Sequence, residues 1–218
     1  MSLLIFDLDG TLIDSKLDLV HSVNAARQLM NLAPISEEVV SSYVGNGAPV
    51  LMRRALGPGA SEEEVQRALE FFLAYYRDHM LDNTRLYPGV REALDRLLEG
   101  GSRMAILTNK PVRFSRAIVE GLGLGRHFFQ VYGGNSFEQK KPDPIGIETL
   151  LRESGIARER TIMVGDSAVD VRTARAANVK ACGVSYGFQP ETFKQSPPDI
   201  LVDDMNQLAD YVLTLTEP

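Results

Sequence analysis

The sequence predicts an α/β fold, a parallel sheet with helices on both faces, interrupted near its start by a helical insertion. Short apolar runs without polar alternation recur along the chain, beginning with Leu3–Phe6, and helical patterns lie between them. Unbroken apolar runs are typical of strands that are buried on both faces. Strands that alternate with helices indicate a parallel sheet covered on both sides.

The elements follow in a regular order, apart from one long stretch. The predicted strands cover residues 3–6, 104–107, 131–132, 161–164, 181–184 and 199–202. The predicted helices cover residues 90–98, 114–122, 145–151, 169–177 and 205–213. From Ser15 to about Leu86 there is no strand pattern, and apolar residues recur at helical spacing instead. We therefore predict a core domain of residues 1–14 and 87–218, with an all-helical domain of residues 15–86 inserted into it.

Composition excludes several classes of protein. The 218 residues are 44% hydrophobic and 24% charged, which is usual for a globular protein with a buried core. The net charge of −6 provides no overall basic surface for nucleic acid. No run of 18 apolar residues and no signal peptide is found, so we expect a cytoplasmic protein without membrane contact. A single cysteine, Cys182, excludes an internal disulfide framework and a multi-cysteine zinc site.

Polar side chains follow the predicted strands where each strand ends. Ligands of open α/β sheets bind beyond the carboxyl ends of the strands, so these side chains are candidates for a functional site. They are Asp7 and Asp9, Thr108, Asn109 and Lys110, Lys140 and Lys141, and Asp166 and Asp170.

Four carboxylates in one crevice repel one another and imply a bound cation. Oxygen ligands without histidine or cysteine favour Mg²⁺ before Ca²⁺. Lysine and the Thr108 hydroxyl are suited to a phosphate group. A carboxylate beside Mg²⁺ and phosphate can act as a nucleophile and form an aspartyl-phosphate. The pattern therefore predicts magnesium-dependent phosphoryl transfer.

Four motifs carry a resemblance to the haloacid dehalogenase superfamily. They are Phe-Asp-Leu-Asp-Gly-Thr-Leu at residues 6–12, Thr108-Asn109, Lys141-Pro142, and Gly165-Asp166-Ser167-x-x-Asp170. The resemblance covers essentially the whole chain. It implies a Rossmann-like core with five main parallel strands and a helical cap domain between the first and second motifs, where the insertion lies.

The resemblance also implies roles for the first two motifs. Asp7 is the expected nucleophile and a Mg²⁺ ligand. Asp9 is the expected general acid and base, and its backbone carbonyl binds Mg²⁺. Thr108 and Asn109 are expected to hold the phosphoryl oxygens.

The remaining two motifs complete the implied site. Lys141 balances charge between the phosphate and Asp7, with Lys140 as the adjacent alternative. Asp166 binds Mg²⁺ directly, and Asp170 acts through water or through another ligand.

Three branches of the superfamily fit the sequence poorly. The dehalogenases lack a carboxylate where Asp9 stands. The phosphonate-cleaving members use a cap lysine, but Lys16 is the only lysine from Ser15 to Leu86. Sugar phosphomutases carry Thr and His at the start of the cap, where this chain has Ser15 and Leu19.

The sequence is most similar to the bacterial branch that acts on 2-phosphoglycolate. The cap loop Gly45-Asn46-Gly47 is the main part of this likeness, because two glycines allow the backbone to approach a small substrate closely. Arg53 or Arg54 is a candidate partner for a substrate carboxylate, and a solvent-facing arginine is the alternative.

The expected activity is hydrolysis of small phosphomonoesters, with 2-phosphoglycolate as the preferred substrate. The expected partner is a small phosphorylated metabolite, and the expected assembly is a monomer or homodimer. The alternatives are a phosphatase for pyrophosphate, nucleotides or sugar phosphates, a hexose-phosphate mutase, and a regulatory protein that binds phosphate without turnover.

Overall fold

A six-stranded parallel sheet forms the centre of the protein in the computed structural model, which describes residues 1–214. The strand order is β5-β4-β1-β6-β7-β8. The strands are β1 (Leu3–Phe6), β4 (Arg103–Leu107), β5 (Gln130–Tyr132), β6 (Thr161–Gly165), β7 (Lys180–Val184) and β8 (Ile200–Val202). The prediction of a parallel Rossmann-like α/β core is confirmed, with six strands where the resemblance implied five main ones.

Helices cover both faces of this sheet. They are α5 (Val90–Glu99), α6 (Val112–Gly121), α7 (Ile145–Ser154), α8 (Ala168–Ala176) and α9 (Met205–Thr214). Along β1, Leu4 and Phe6 pack into one hydrophobic core while Leu3 and Ile5 pack into the other. Because both faces are buried, the strand needs apolar residues at every position, which explains its unbroken apolar run.

Four helices between β1 and α5 form the cap. They are α1 (Lys16–Leu29), α2 (Glu37–Tyr43), α3 (Ala48–Leu56) and α4 (Glu62–His79). Their inward faces share a third hydrophobic core, which includes Val23, Met52 and Phe72. The Ser61 hydroxyl accepts from the Glu64 amide at the start of α4, and the Glu64 carboxylate accepts in return from the Ser61 amide.

A short antiparallel pair joins the cap to the core. In this pair β2 (Ile13–Asp14) lies beside β3 (Arg85–Leu86), with Ile13 opposite Leu86. The expectation of no strand up to Leu86 is wrong at β3, because two residues are too few to show a period. No helix within residues 1–214 is both long enough and apolar enough to cross a membrane.

Candidate active site

The central position of β1 determines where the site lies. β1 pairs with β4 on one side and with β6 on the other, so the carboxyl ends of all three strands meet at one edge. Asp7 follows β1, Thr108 follows β4, and Asp166 follows β6. All three line one cavity, which the cap covers.

Asp7 lies at the base of this cavity, beside a buried lysine. Lys141 Nζ is 2.9 Å from Asp7 Oδ2 and 2.6 Å from Asp170 Oδ1. Burial raises the pKa of Asp7, although Lys141 opposes the shift. Burial also opposes the charge on Lys141, but the carboxylates of Asp170 and Asp7 hold its pKa above the ordinary range. The lysine is therefore a fixed positive charge beside the carboxylate.

Three buried carboxylates are close enough to share one cation. Oxygen atoms of Asp7, Asp166 and Asp170 lie within 4.8 Å of one another. Burial, together with the charges of Asp170 and Asp7, raises the pKa of Asp166 well above its usual range. Because mutual repulsion is relieved by a cation and every donor is oxygen, the cluster fits a hard divalent metal.

Gly10 allows Asp166 to reach this cluster. The φ angle of Gly10 is +78°, and a Cβ at this position would lie 2.3 Å from Asp166 Oδ2. A side chain at residue 10 would therefore be strained and would displace the carboxylate. The same oxygen accepts from the Phe188 amide at 2.6 Å, which fixes its direction.

The Asp9 carboxylate points away from the three-aspartate cluster. Its Oδ1 accepts from the Ser15 hydroxyl at 2.6 Å, and both of its oxygens lie 2.9 Å from Lys110 Nζ. The side chain is therefore outside the cluster but still lines the cavity. This placement separates a carboxylate available for proton transfer from those suited to metal binding.

Thr108 and Asn109 take different positions after β4. The Thr108 hydroxyl donates to the Asp7 carboxylate, which works against the raised pKa of that group. The Asn109 Nδ2 donates to the carbonyl of Gly45 at 2.9 Å and to that of Lys141 at 3.1 Å. Asn109 therefore connects the cap loop to the core loop that carries Lys141.

The predicted cap loop lies against the core at this point. Gly45 and Gly47 line the cavity, and the carbonyl of Asn46 accepts from Lys140 Nζ at 2.7 Å. The φ angle of Gly47 is +84°, and a Cβ there would lie 3.2 Å from the Asn109 carbonyl. Lys140 therefore holds the cap loop, whereas Lys141 contacts the carboxylates.

The two predicted cap arginines lie elsewhere. Arg53 forms an ion pair with Glu62, and its side chain is 47% exposed. Arg54 donates to the carbonyl of Tyr43 at 3.3 Å. Neither arginine lines the cavity, so the structure does not bring them to the other site residues.

Two further cavity residues had no role assigned from the sequence. Lys110 was predicted to lie at the strand end with Thr108 and Asn109, but the resemblance gave it no task. Tyr76 shows only helical apolar spacing, which indicates packing. Its ring does pack, 5.7 Å from Phe72, but its hydroxyl oxygen lies 2.7 Å from Lys110 Nζ.

Comparisons with known proteins agree with this geometry. The family model for haloacid dehalogenase-like hydrolases matches residues 4–184. A phosphoglycolate phosphatase of Pseudomonas fluorescens (strain Pf0-1) is 42% identical, over 94% of this chain and 78% of that protein. One from Vibrio parahaemolyticus is 36% identical, over 97% of this chain and 96% of that protein.

A solved structure extends the likeness to the whole fold. The crystal structure of a predicted phosphoglycolate phosphatase from Haemophilus somnus 129pt has a TM-score of 0.91 and 34% identity. The alignment covers 100% of this chain and 98% of the Haemophilus somnus chain. The family model, the curated relatives and the solved structure agree with the motifs, the cap and the sheet. The chain therefore belongs to the haloacid dehalogenase-like hydrolase family and is a phosphoric monoester hydrolase.

Proposed function

We propose that the enzyme is a Mg²⁺-dependent phosphatase that converts 2-phosphoglycolate to glycolate and phosphate through an aspartyl-phosphate on Asp7. One observation carries the proposal. The Asp7 carboxylate lies at the base of a cap-covered cavity, held between Lys141 and two further carboxylates. This arrangement places a nucleophile, Asp7, next to a buried lysine at 2.9 Å and next to two more carboxylates within 4.8 Å that can bind a metal.

In the first step, an Asp7 carboxylate oxygen attacks phosphorus, and the bond from phosphorus to the glycolate oxygen breaks. Asp9, in its protonated form, gives its proton to that leaving oxygen. In the second step, water attacks the phosphorus of the aspartyl-phosphate, and Asp9 takes the proton of that water. Phosphate leaves, and the Asp7 carboxylate and the Asp9 acid are both restored.

Charge balance is the role of the remaining core residues. Lys141 offsets the negative charge that accumulates between Asp7 and the phosphoryl oxygens. Asp7, Asp166 and Asp170 would hold Mg²⁺, together with the Asp9 backbone carbonyl that family resemblance implies. When bound, Mg²⁺ supplies Lewis-acid stabilisation of the phosphoryl charge. The Thr108 hydroxyl is hydrogen-bonded to Asp7, so it is placed to contact a phosphoryl oxygen.

The substrate proposal has two supports. The relatives named above are phosphoglycolate phosphatases. The cavity between cap and core has a volume of about 50 Å³, which is a small space for the group attached to the phosphate. Apolar cap side chains, including Leu51 and Phe72, line its cap side.

The test is phosphate release from 2-phosphoglycolate, pyrophosphate, nucleoside monophosphates and hexose phosphates, with Mg²⁺ and with EDTA. The expected result is Mg²⁺-dependent turnover with the highest kcat/KM for 2-phosphoglycolate. Faster turnover of another ester would keep the phosphatase mechanism and reject the substrate. Conversion of one hexose phosphate isomer to another, without phosphate release, would indicate a mutase instead.

A further inference from the structure

Lys110 is a buried cation that the proposed reaction leaves without a role. It supplies the one cationic side chain among the cavity-lining residues in the described part of the chain. Its Nζ is 2.9 Å from both Asp9 oxygens and 2.7 Å from the Tyr76 hydroxyl oxygen. The Asp9 carboxylate therefore lies against this ammonium group as its counter-ion.

Tyr76 brings a second hydrogen-bond donor to the same place from the cap. Its hydroxyl oxygen accepts from Lys110, which leaves the hydroxyl hydrogen for another acceptor. Burial raises the pKa of Tyr76 to about 12, so the group stays protonated. The Tyr76 ring packs between Phe72 and Phe114, which fixes the direction of the hydroxyl.

We infer that Lys110 and Tyr76 form a carboxylate subsite that selects phosphate esters of short 2-hydroxy acids. The inference rests on the proposed function, because Asp9 must face the leaving oxygen. In such an ester the carboxylate carbon is two bonds from that oxygen. A substrate carboxylate therefore reaches the group beside Asp9, and that group is Lys110.

Among the described residues, the other cations near the site do not line the cavity. Lys141 is bound by Asp7 and Asp170, and Lys140 by the carbonyl of Asn46. Arg53, the sequence-based candidate for this task, pairs with Glu62 on the outside of the cap. Lys110 therefore takes the task that was predicted for the arginine.

The subsite also joins the two domains. Lys110 follows β4 in the core, whereas Tyr76 belongs to α4 of the cap. A carboxylate bound by both would strengthen the contact between them, and a neutral leaving group would not. Selectivity is thus tied to cap docking, which completes the cavity.

The experiment compares kcat/KM for 2-phosphoglycolate with that for its neutral carboxamide analogue, and reports the ratio of acid to amide. Lys110→Met should lower this ratio about 10- to 100-fold, because a charged hydrogen bond to the carboxylate is lost. Tyr76→Phe should lower it about 3- to 10-fold. Lys110→Arg, which keeps the charge, should retain more of the ratio than Lys110→Met.

Tyr75→Phe is the matched control. Tyr75 precedes Tyr76 on α4 but stacks on Phe71 and His79 and does not line the cavity. Its ratio of acid to amide should equal that of the wild type. Use of the ratio also cancels any loss of Asp9 alignment in Lys110→Met, because that loss affects both substrates alike.

Three outcomes decide the inference. A lower ratio in Lys110→Met and Tyr76→Phe, but not in Tyr75→Phe, supports it. A wild-type preference for the acid that both variants retain overturns the subsite and leaves the proposed substrate standing. A wild type without that preference overturns the proposed substrate itself. If Lys110→Met does not fold, the Tyr76→Phe ratio gives the decision.

Discussion

The two walls of the cavity differ in almost every physical respect. The core wall, at the ends of β1, β4 and β6, presents carboxylates, hydroxyls and one buried lysine, Lys110. The cap wall presents mainly apolar side chains such as Leu51 and Phe72, with Tyr76 as its polar group toward the core. In the proposed mechanism the first wall acts on the phosphate group, whereas the second shapes the space for what is attached to that group.

The difference shows how one fold separates chemistry from selection. Parallel strands fix the core groups rigidly, since each one follows a strand buried on both faces. Polar contacts hold the cap against the core, among them Asn109 Nδ2 to the carbonyl of Gly45 and Gln189 Nε2 to the carbonyls of Ser41 and Val44. Substitutions in the two walls should therefore have effects of different kinds.

Asp7→Asn should abolish the reaction of the core wall. The amide keeps the size of the side chain and an oxygen for the Leu8 amide, but it is not a competent nucleophile. We expect kcat to fall by about 10⁴-fold or more for every phosphate ester. Steady-state phosphate release checks this, and turnover near the wild-type rate would exclude the covalent route.

Asp166→Asn should weaken Mg²⁺ binding by the core wall without changing the apolar cap wall. Removal of one carboxylate from the three-aspartate cluster lowers its charge, so we expect the Mg²⁺ concentration for half-maximal activity to rise about 10- to 100-fold. Titration of activity with Mg²⁺ after EDTA treatment measures the change. An unaltered Mg²⁺ requirement would place the metal elsewhere.

Asp18→Asn should destabilise the base of the cap, away from both walls of the cavity. The buried Asp18 carboxylate accepts from the amides of Asn83 and Thr84 and from the Thr84 hydroxyl, at 2.8–3.0 Å. We expect a loss of about 1–3 kcal/mol in the free energy of unfolding. The exposed Asp14, which accepts from the Lys16 amide at 3.2 Å, gives Asp14→Asn as the control with little effect.

The effect of Asp18 should also depend on pH. Burial opposes its ionisation, but the hydrogen bonds from Asn83 and Thr84 outweigh burial and lower its pKa. A lowered folded-state pKa contributes stability above the unfolded value of about 3.9, and that stability is lost as pH falls through the folded value. The difference between wild type and Asp18→Asn, measured by urea unfolding, should therefore shrink below about pH 4. A difference that grew with acidification would contradict this origin.

Arg53→Ala should have the smallest effect. Its ion pair with Glu62 lies on the exposed side of the cap, and such pairs contribute about 0–1 kcal/mol. We expect kcat/KM for 2-phosphoglycolate to stay within about twofold of the wild type. A tenfold rise in KM would show instead that Arg53 reaches the substrate.

Sequence patterns predicted the parts of the protein that are local. Strand β1, which precedes Asp7, is buried on both faces, and its unbroken apolar run predicts this. The motifs after β1 and β6 predict the carboxylates of the site. The sequence patterns could not predict the direction of the Arg53 side chain, because a helical arginine has the same spacing whether it faces solvent or substrate. The pair of Lys110 and Tyr76 is 34 residues apart in sequence, and only the docking of cap on core brings them together.

The account depends most directly on the covalent role of Asp7. Acid-quenched samples taken from milliseconds to steady state, with 2-phosphoglycolate and Mg²⁺, can be digested and analysed by mass spectrometry. We predict a phosphoryl group on the peptide that contains Asp7, absent with EDTA and absent in Asp7→Asn. Phosphate release with a phosphoryl group on another residue, or with none on Asp7 at any time, would contradict the account.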